Sequence, residues 1–227
     1  MDEHARVAAY YAPPPEDPLF AEGATWLGRD PESDAPAPQP PFPGIEEVTA
    51  DPRLYGFHAT LKPPMRLAPG KLWFELVEAA HATAGRMPAF ELPPLAVAEL
   101  DGFLALRETA PCPPLQALAD ACVADLDPFR APVPQEEMAR RRRGGLTAEQ
   151  DAMLERWGYP YVFHTWFFHM TLTRRLSAEE QALWRPRAEA HFARALSLPR
   201  RVTDFCLFTQ ARPGAAFVIV ERFELRG

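Results

Sequence analysis

Two copies of one short pattern restrict what this chain can fold into. Gly56-Phe57-His58-Ala59-Thr60-Leu61-Lys62 and Phe167-Phe168-His169-Met170-Thr171-Leu172-Thr173 each read apolar-His-x-Thr-Leu. The two histidines lie 111 positions apart, about half of the 227-residue chain. Both stretches alternate in character, the mark of a strand with one face against a core. In the first, Phe57, Ala59 and Leu61 share one face and His58, Thr60 and Lys62 the other; in the second, Phe168, Met170 and Leu172 point inward and His169, Thr171 and Thr173 outward. A His and a Thr two residues apart on a strand project side by side. A solvated sheet face has no need of that pair twice in one register, so the motifs are expected to form one active site, with a histidine from each half.

The rest of the chain is organised around these strands. Arg6–Tyr11 reads as a first strand, and Asp17 caps a helix from Pro18 with Leu19, Phe20, Ala24 and Leu27 as its stripe. Residues 29–44, rich in Pro, Asp and Ser, read as a loop. The first motif strand is expected over 55–62, ended by Pro63-Pro64. A helix follows over 70–86, then a hairpin of 90–99 and 103–107 turning at Asp101-Gly102. Further helices are expected over 114–126, from the Thr147 cap through Met153, Leu154 and Trp157, and from the Ser177–Glu180 capping box to Leu196. Arg140–Arg143 beside Gly144-Gly145 reads as an exposed flexible connection. The second motif strand is expected over 162–174, and a hairpin of 202–210 and 216–225 closes the chain. Each motif is thus followed by helix, strand, turn, strand, the first strand beginning about 32 residues after His58 and about 33 after His169. The expected fold is α+β: one two-lobed domain over 1–227, its pseudo-symmetric lobes of antiparallel sheet plus helices covering about 50–110 and about 160–227, with a central cleft that carries one His-x-Thr motif from each.

Composition excludes several alternatives. A net charge of −7 argues against general nucleic-acid binding by bulk electrostatics, though a few local cations can still hold a small anion. Cys112, Cys122 and Cys206 are widely spaced and form no Cys-x-x-Cys pair, so they are expected to be small buried hydrophobes rather than metal ligands or disulfides. The apolar run Val7–Ala12 is too short for a signal sequence, and no stretch approaches the roughly 18 apolar residues of a membrane span, which places the protein in the cytoplasm with no membrane partner. There is no Gly-x-Ser-x-Gly elbow, no Walker phosphate loop and no Gly-x-Gly-x-x-Gly. The remaining histidines, His4, His81, His164 and His191, do not fit the paired pattern. No metal site and no cofactor are expected.

The two segments His58-Ala59-Thr60-Leu61 and His169-Met170-Thr171-Leu172 resemble the motifs of the two-histidine (2H) phosphoesterase superfamily. The chain looks most similar to an uncharacterised branch of it linked to phosphonate metabolism. The segments 55–62, Asp127-Pro128-Phe129-Arg130-Ala131-Pro132, Arg156-Trp157-Gly158-Tyr159-Pro160-Tyr161-Val162 and Trp26-Leu27-Gly28-Arg29-Asp30 carry that similarity. Members of the branch often have an arginine where this chain has Phe167; if that arginine holds an anion, its role here is either absent or taken over by Arg174 or Arg175. The resemblance implies His58 and His169 as the catalytic acid–base pair, Thr60 and Thr171 as phosphate holders, and a phosphoribosyl cyclic phosphate as a reasonable substrate.

The residues support that chemistry on their own terms. Opening a cyclic phosphodiester requires water to lose a proton and the leaving oxygen to gain one, which two imidazoles can share. Threonine hydroxyls can donate to the non-bridging oxygens as charge develops. Lys62, Tyr11, Tyr55 and Arg174 are further candidates to touch substrate. Two other functions remain open: a 2′,3′-cyclic phosphodiesterase acting on nucleotides or, less favoured, on RNA ends; and a binding module for phosphorylated ligands without turnover.

Overall fold

A computed structural model of the protein describes residues 5–227, so His4 lies outside the described residues. Local signals start most helices. The chain opens with β1 (Arg6–Tyr11) and α1 (Pro18–Leu27), where the Asp17 carboxylate accepts the Leu19 N–H at 2.9 Å and Pro18 fills the first turn. After the proline-rich loop come α2 (Ile45–Val48), α3 (Ala50–Tyr55) and β2 (Ala59–Met65). Then follow α4 (Trp73–Ala84), β3 (Phe90–Leu92), β4 (Leu95–Leu100), β5 (Phe103–Glu108) and α5 (Pro113–Leu126). The second half holds α6 (Gln135–Arg142), α7 (Ala148–Trp157), β6 (Met170–Thr171), α8 (Ala178–Leu196), β7 (Arg200–Val202), β8 (Asp204–Gln210) and β9 (Phe217–Glu224). Reciprocal side-chain bonds at Thr147/Gln150 and Ser177/Glu180 close the capping boxes of α7 and α8.

The strands form one seven-stranded antiparallel sheet in the order β4-β5-β6-β2-β1-β8-β9, and β3 pairs with β7 in a second sheet of two strands. The halves repeat: β2-α4-β3-β4-β5 is answered by β6-α8-β7-β8-β9. β5 and β4 flank β6 as β1 and β8 flank β2. The two motif strands are therefore neighbours at the centre of a shared sheet, joined through Ala59 and Met170, and the cleft lies on one face of that sheet. The other face, with Val7, Ala9, Tyr11, Ala59, Leu61, Leu104, Leu106, Met170 and Leu172, is buried in the main core with apolar residues of α1, α4, α5 and α8. Each fully buried large side chain there contributes roughly 1.5–3 kcal/mol. A smaller cluster of Ala8, Tyr10, Ala12, Cys206, Phe208 and Phe217 stands on the cleft side. Among the described residues, no helix is long and apolar enough to cross a membrane.

Several boundaries depart from the sequence expectation. Tyr55 ends a helix instead of opening a strand, and β2 runs on through Pro63-Pro64. The prolines are tolerated because β6 pairs only with Ala59, leaving β1 as the partner beside them, and the β1–β2 register is irregular there. β6 has only two residues instead of the expected long strand. Ahead of it the chain turns through Phe163, at φ 52°, and the Trp166 indole N–H donates to the Thr60 carbonyl at 2.8 Å, so a side chain satisfies a strand group. Pro93-Pro94 separates β3 from β4, and β3 leaves for the small sheet. Arg140, Arg141 and Arg142 lie in the last turn of α6, not in a flexible connection.

Candidate active site

Gly56 positions the first motif. It leaves α3 at φ 77°, and a Cβ there would lie 2.9 Å from Pro31, so glycine fits both the turn and the space. The next residue, Phe57, goes into the core over α1, where Gly23 makes room: a Cβ on Gly23 would stand 2.1 Å from the Phe57 ring. With Phe57 held inward, His58 turns to the cleft.

The two histidines are held in the same way. Nδ1 of His58 donates to the Gly56 carbonyl at 2.9 Å, and Nδ1 of His169 donates to the Phe167 carbonyl at 3.3 Å. A carbonyl only accepts, so in the neutral rings the proton sits on Nδ1 and Nε2 carries the lone pair. Thr60 Oγ1 lies 3.3 Å from Nε2 of His58 and is then its donor. Tyr10 stacks on the His58 ring with centroids 3.8 Å apart and planes 22° from parallel. His169 lies between Phe167, at 5.0 Å, and Phe103, at 6.1 Å. Both histidines, Thr60 and Thr171 line one cleft of about 600 Å³.

These surroundings disfavour charge on both rings. Burial is the first cause at His58, reinforced by the charges of His169 and Arg29 and opposed by the Gly56 bond; together they pull its pKa from 6.5 down to about 4. The His169 pKa is also lowered, first by burial and then by Arg107, against the Phe167 bond. Arg29 acts from a fixed place: it is buried and donates to the carbonyls of Arg53 and Phe217, each at 2.9 Å. Among the described residues, no three His, Cys, Asp or Glu side chains converge as a metal cluster.

The structure sorts the other sequence candidates. Tyr55 stands on the cleft wall, half-exposed, with its ring stacked on Phe217 at 5.3 Å. Arg174 also lines the cleft, but its guanidinium is held by Glu47 at 2.6 Å and Glu180 at 3.0 Å, and Arg175 is paired with Asp101. Lys62 is a correction. Tyr10 pairs with Thr60 while Ala9 pairs with Lys62, so Leu61 is an extra residue and the bulge sends Lys62 to the core face. There it is 2% exposed and donates to Asp127 and to the Val123 carbonyl, both at 3.1 Å. Tyr11 is the second correction: it faces the main core, and its neighbour Tyr10 takes the cleft side. Period-two reading cannot separate these tyrosines, because both faces of β1 are buried. Phe167 carries Arg107 over its ring at 5.6 Å. Of the other histidines, His81 meets Glu221, His164 faces Glu149, and His191 bonds to the Glu22 carbonyl, all away from the cleft.

Comparison with known proteins places the chain in a family. It belongs to the family described as "Protein of unknown function (DUF1045)", whose model matches residues 60–218. It is 40% identical over 98% of its length to the ribose 1,5-bisphosphate phosphokinase PhnN of Janthinobacterium sp. (strain Marseille), covering 51% of that protein. It is 38% identical over 93% of its length to the protein of the same name from Laribacter hongkongensis (strain HLHK9), covering 50% of it. The chain thus spans about half the length of these relatives. Among solved structures it aligns with E. coli LigT complexed with 3′-AMP (TM-score 0.46, 17% identity, 98% of each chain) and with TT0787 of Thermus thermophilus (TM-score 0.46, 15% identity, 98% of each chain).

Proposed function

We propose that this chain is a 2H phosphoesterase that hydrolyses a cyclic phosphodiester built on ribose, by acid–base catalysis shared between His58 and His169. The observation that carries the reading is the pair of Nδ1-to-carbonyl bonds, one in each motif, which leaves both Nε2 atoms for chemistry in one cleft. A structural histidine on a sheet face has no reason to repeat that arrangement beside a second copy of itself.

The surroundings lower both pKa values, and the role assignment starts from His58. His58, at about 4, is unprotonated across the neutral range and acts as the base. Its Nε2 takes a proton from water as the water oxygen attacks phosphorus. His169 takes the acid role: in its protonated form it passes a proton from Nε2 to the sugar oxygen as the P–O bond breaks. The product is a phosphomonoester with a free hydroxyl. Thr171 donates to a non-bridging oxygen as charge develops, and Thr60 does so once His58 Nε2, which accepts its proton in the resting site, has itself been protonated. Neither proton transfer calls for a metal. The ribose assignment draws on the relatives' name, which specifies a ribose phosphate.

The test is turnover of ribose 1,2-cyclic phosphate and of 2′,3′-cyclic nucleotides in EDTA. The reading expects hydrolysis that survives the chelator and prefers the ribose compound. Preference for the nucleotides moves the substrate class, and activity that disappears with EDTA overturns the mechanism.

A further inference from the structure

The cleft carries more positive charge than one phosphodiester calls for. The chain has a formal net charge of −7, yet five arginines line this cleft against two carboxylates, Asp51 and Glu137. Arg174 and Arg175 are occupied by their carboxylate partners. Among the described residues, Arg6 and Arg140 have no such partner, and Arg141 shares the single carboxylate of Glu137 with Arg66.

Arg6 and Arg141 come together from distant parts of the chain. Arg6 lies on the same face of β1 as Tyr10, four residues away, which is about 13 Å along a strand. Arg141 comes from the last turn of α6. Both also line the crevice that continues from the cleft past Pro63 and Pro64, so they share one end of it. Neutral groups orient the Arg6 side chain: Nε donates to Gln210 at 2.8 Å, and the guanidinium lies 5.3 Å from the Phe217 ring. Arg141 lies 4.8 Å from the Tyr159 ring and gives one N–H to Glu137 at 2.7 Å, while its Nε–H, shielded from solvent, has no acceptor. Among the described residues, no carboxylate pairs with Arg6 or Arg140. Guanidinium forks held by aromatic rings at one end of a cleft match the geometry of a phosphate.

We infer that Arg6 and Arg141 form a second anion subsite, which binds a phosphomonoester on the part of the substrate remote from the cyclic diester. Arg140, exposed at the rim, adds charge. The inference rests on the cyclic-phosphodiesterase reading and narrows it: the substrate is a small sugar bearing two phosphorus groups. A cyclic nucleotide with no second phosphate leaves the subsite empty. A small rotation of the Arg141 side chain toward the anion gives its orphaned N–H an acceptor.

The experiment compares ribose 1,2-cyclic phosphate with and without a 5-phosphate, using the native chain, Arg6→Met and Arg141→Met, each checked for folding by its melting temperature. The native chain is expected to favour the 5-phosphorylated compound by about 100-fold in kcat/KM, and each substitution to cut that preference about tenfold or more, through KM. Calorimetric titration with D-ribose 5-phosphate gives a readout that needs no turnover: binding to the native chain, weakened to the same extent in both variants. If ribose 5-phosphate binds in this way but no cyclic phosphate is hydrolysed, the subsite stands and the catalytic reading fails. If cyclic phosphates are hydrolysed with no native preference for the 5-phosphate, or both substitutions leave the preference intact, the subsite is wrong.

Discussion

At the scale of residues, the account rests on where protons sit. A histidine whose folded-state pKa lies below its unfolded value binds a proton more readily in the unfolded chain. His58 therefore contributes stability that is full above 6.5 and is lost as pH falls through about 4. Urea titrations at stepped pH are expected to show that loss, and His58→Gln to flatten it; a native chain equally stable at pH 4.5 and 7 would contradict the buried, neutral ring. The same pKa values bear on rate. Because both histidines lie below the ordinary 6.5, kcat/KM is expected to peak in mild acid and to fall as pH rises and His169 loses its proton. An optimum above pH 8 would contradict the lowered pKa values of both rings. Lys62 separates bracing from binding. Its carboxylate partner, Asp127, also receives Arg130 at 2.7 Å, so the trio ties β2 to the segment after α5. Lys62→Met should cost about 1–3 kcal/mol in thermal unfolding. It should leave KM within about threefold, where a phosphate-binding lysine would raise it tenfold or more.

Elements show which features the sequence announces and which it conceals. Helices α1, α7 and α8 are legible because their signals are local: Asp17, Thr147 and Ser177 begin them, and an apolar period of 3.6 carries them on. Helix α6 is not, because it buries only Met138. Its remaining signal is electrostatic: Glu136 and Glu137 in the first turn and three arginines in the last complement the helix dipole, and Glu137 bonds to Arg141 one turn on. Alternation gives the correct faces for His58, Thr60, His169 and Thr171 but not the strand ends: β2 and β6 each begin one residue after the histidine. A bulge at Leu61 and an indole bond from Trp166 set those ends, and both depend on partners distant in sequence. That bulge is also why alternation misplaces Lys62 but not His58 and Thr60. These contacts carry two predictions. Gly23→Ala forces a methyl group into the Phe57 ring under the first motif, and should destabilise the fold by about 3 kcal/mol with a loss of activity at assay temperature. Trp166→Phe keeps an aromatic ring but removes the N–H that joins the approach to His169 to the Thr60 carbonyl. It should lower kcat about tenfold with a smaller change in KM, since a displacement of about 1 Å can cost up to 100-fold; an unchanged kcat would mean that Trp166 only packs.

For the whole molecule, the repeat explains why one site exists. Each half supplies a strand that carries a threonine and is immediately preceded by a histidine, and pairing β2 with β6 at the sheet centre brings both sets to one cleft. The other face and four helices hold the core, so the cleft face can carry polar side chains without loss of the main apolar layer. Segments outside the motifs brace this arrangement. The Trp26 indole donates to the Leu172 carbonyl at 2.9 Å, linking α1 to the end of the second motif, and Arg29 ties α3 to β9 behind the first. The central claim is that His58 and His169 act as one acid–base unit, and the most direct measurement is a double-mutant cycle. Single-turnover hydrolysis of ribose 1,2-cyclic phosphate in EDTA would be compared for the native chain, His58→Asn, His169→Asn and the double variant. The account predicts a loss of about 100- to 10,000-fold from each single change and little further loss in the double, because groups that act together are not additive. Full turnover in either single variant, or losses that multiply as if the residues were independent, would contradict it.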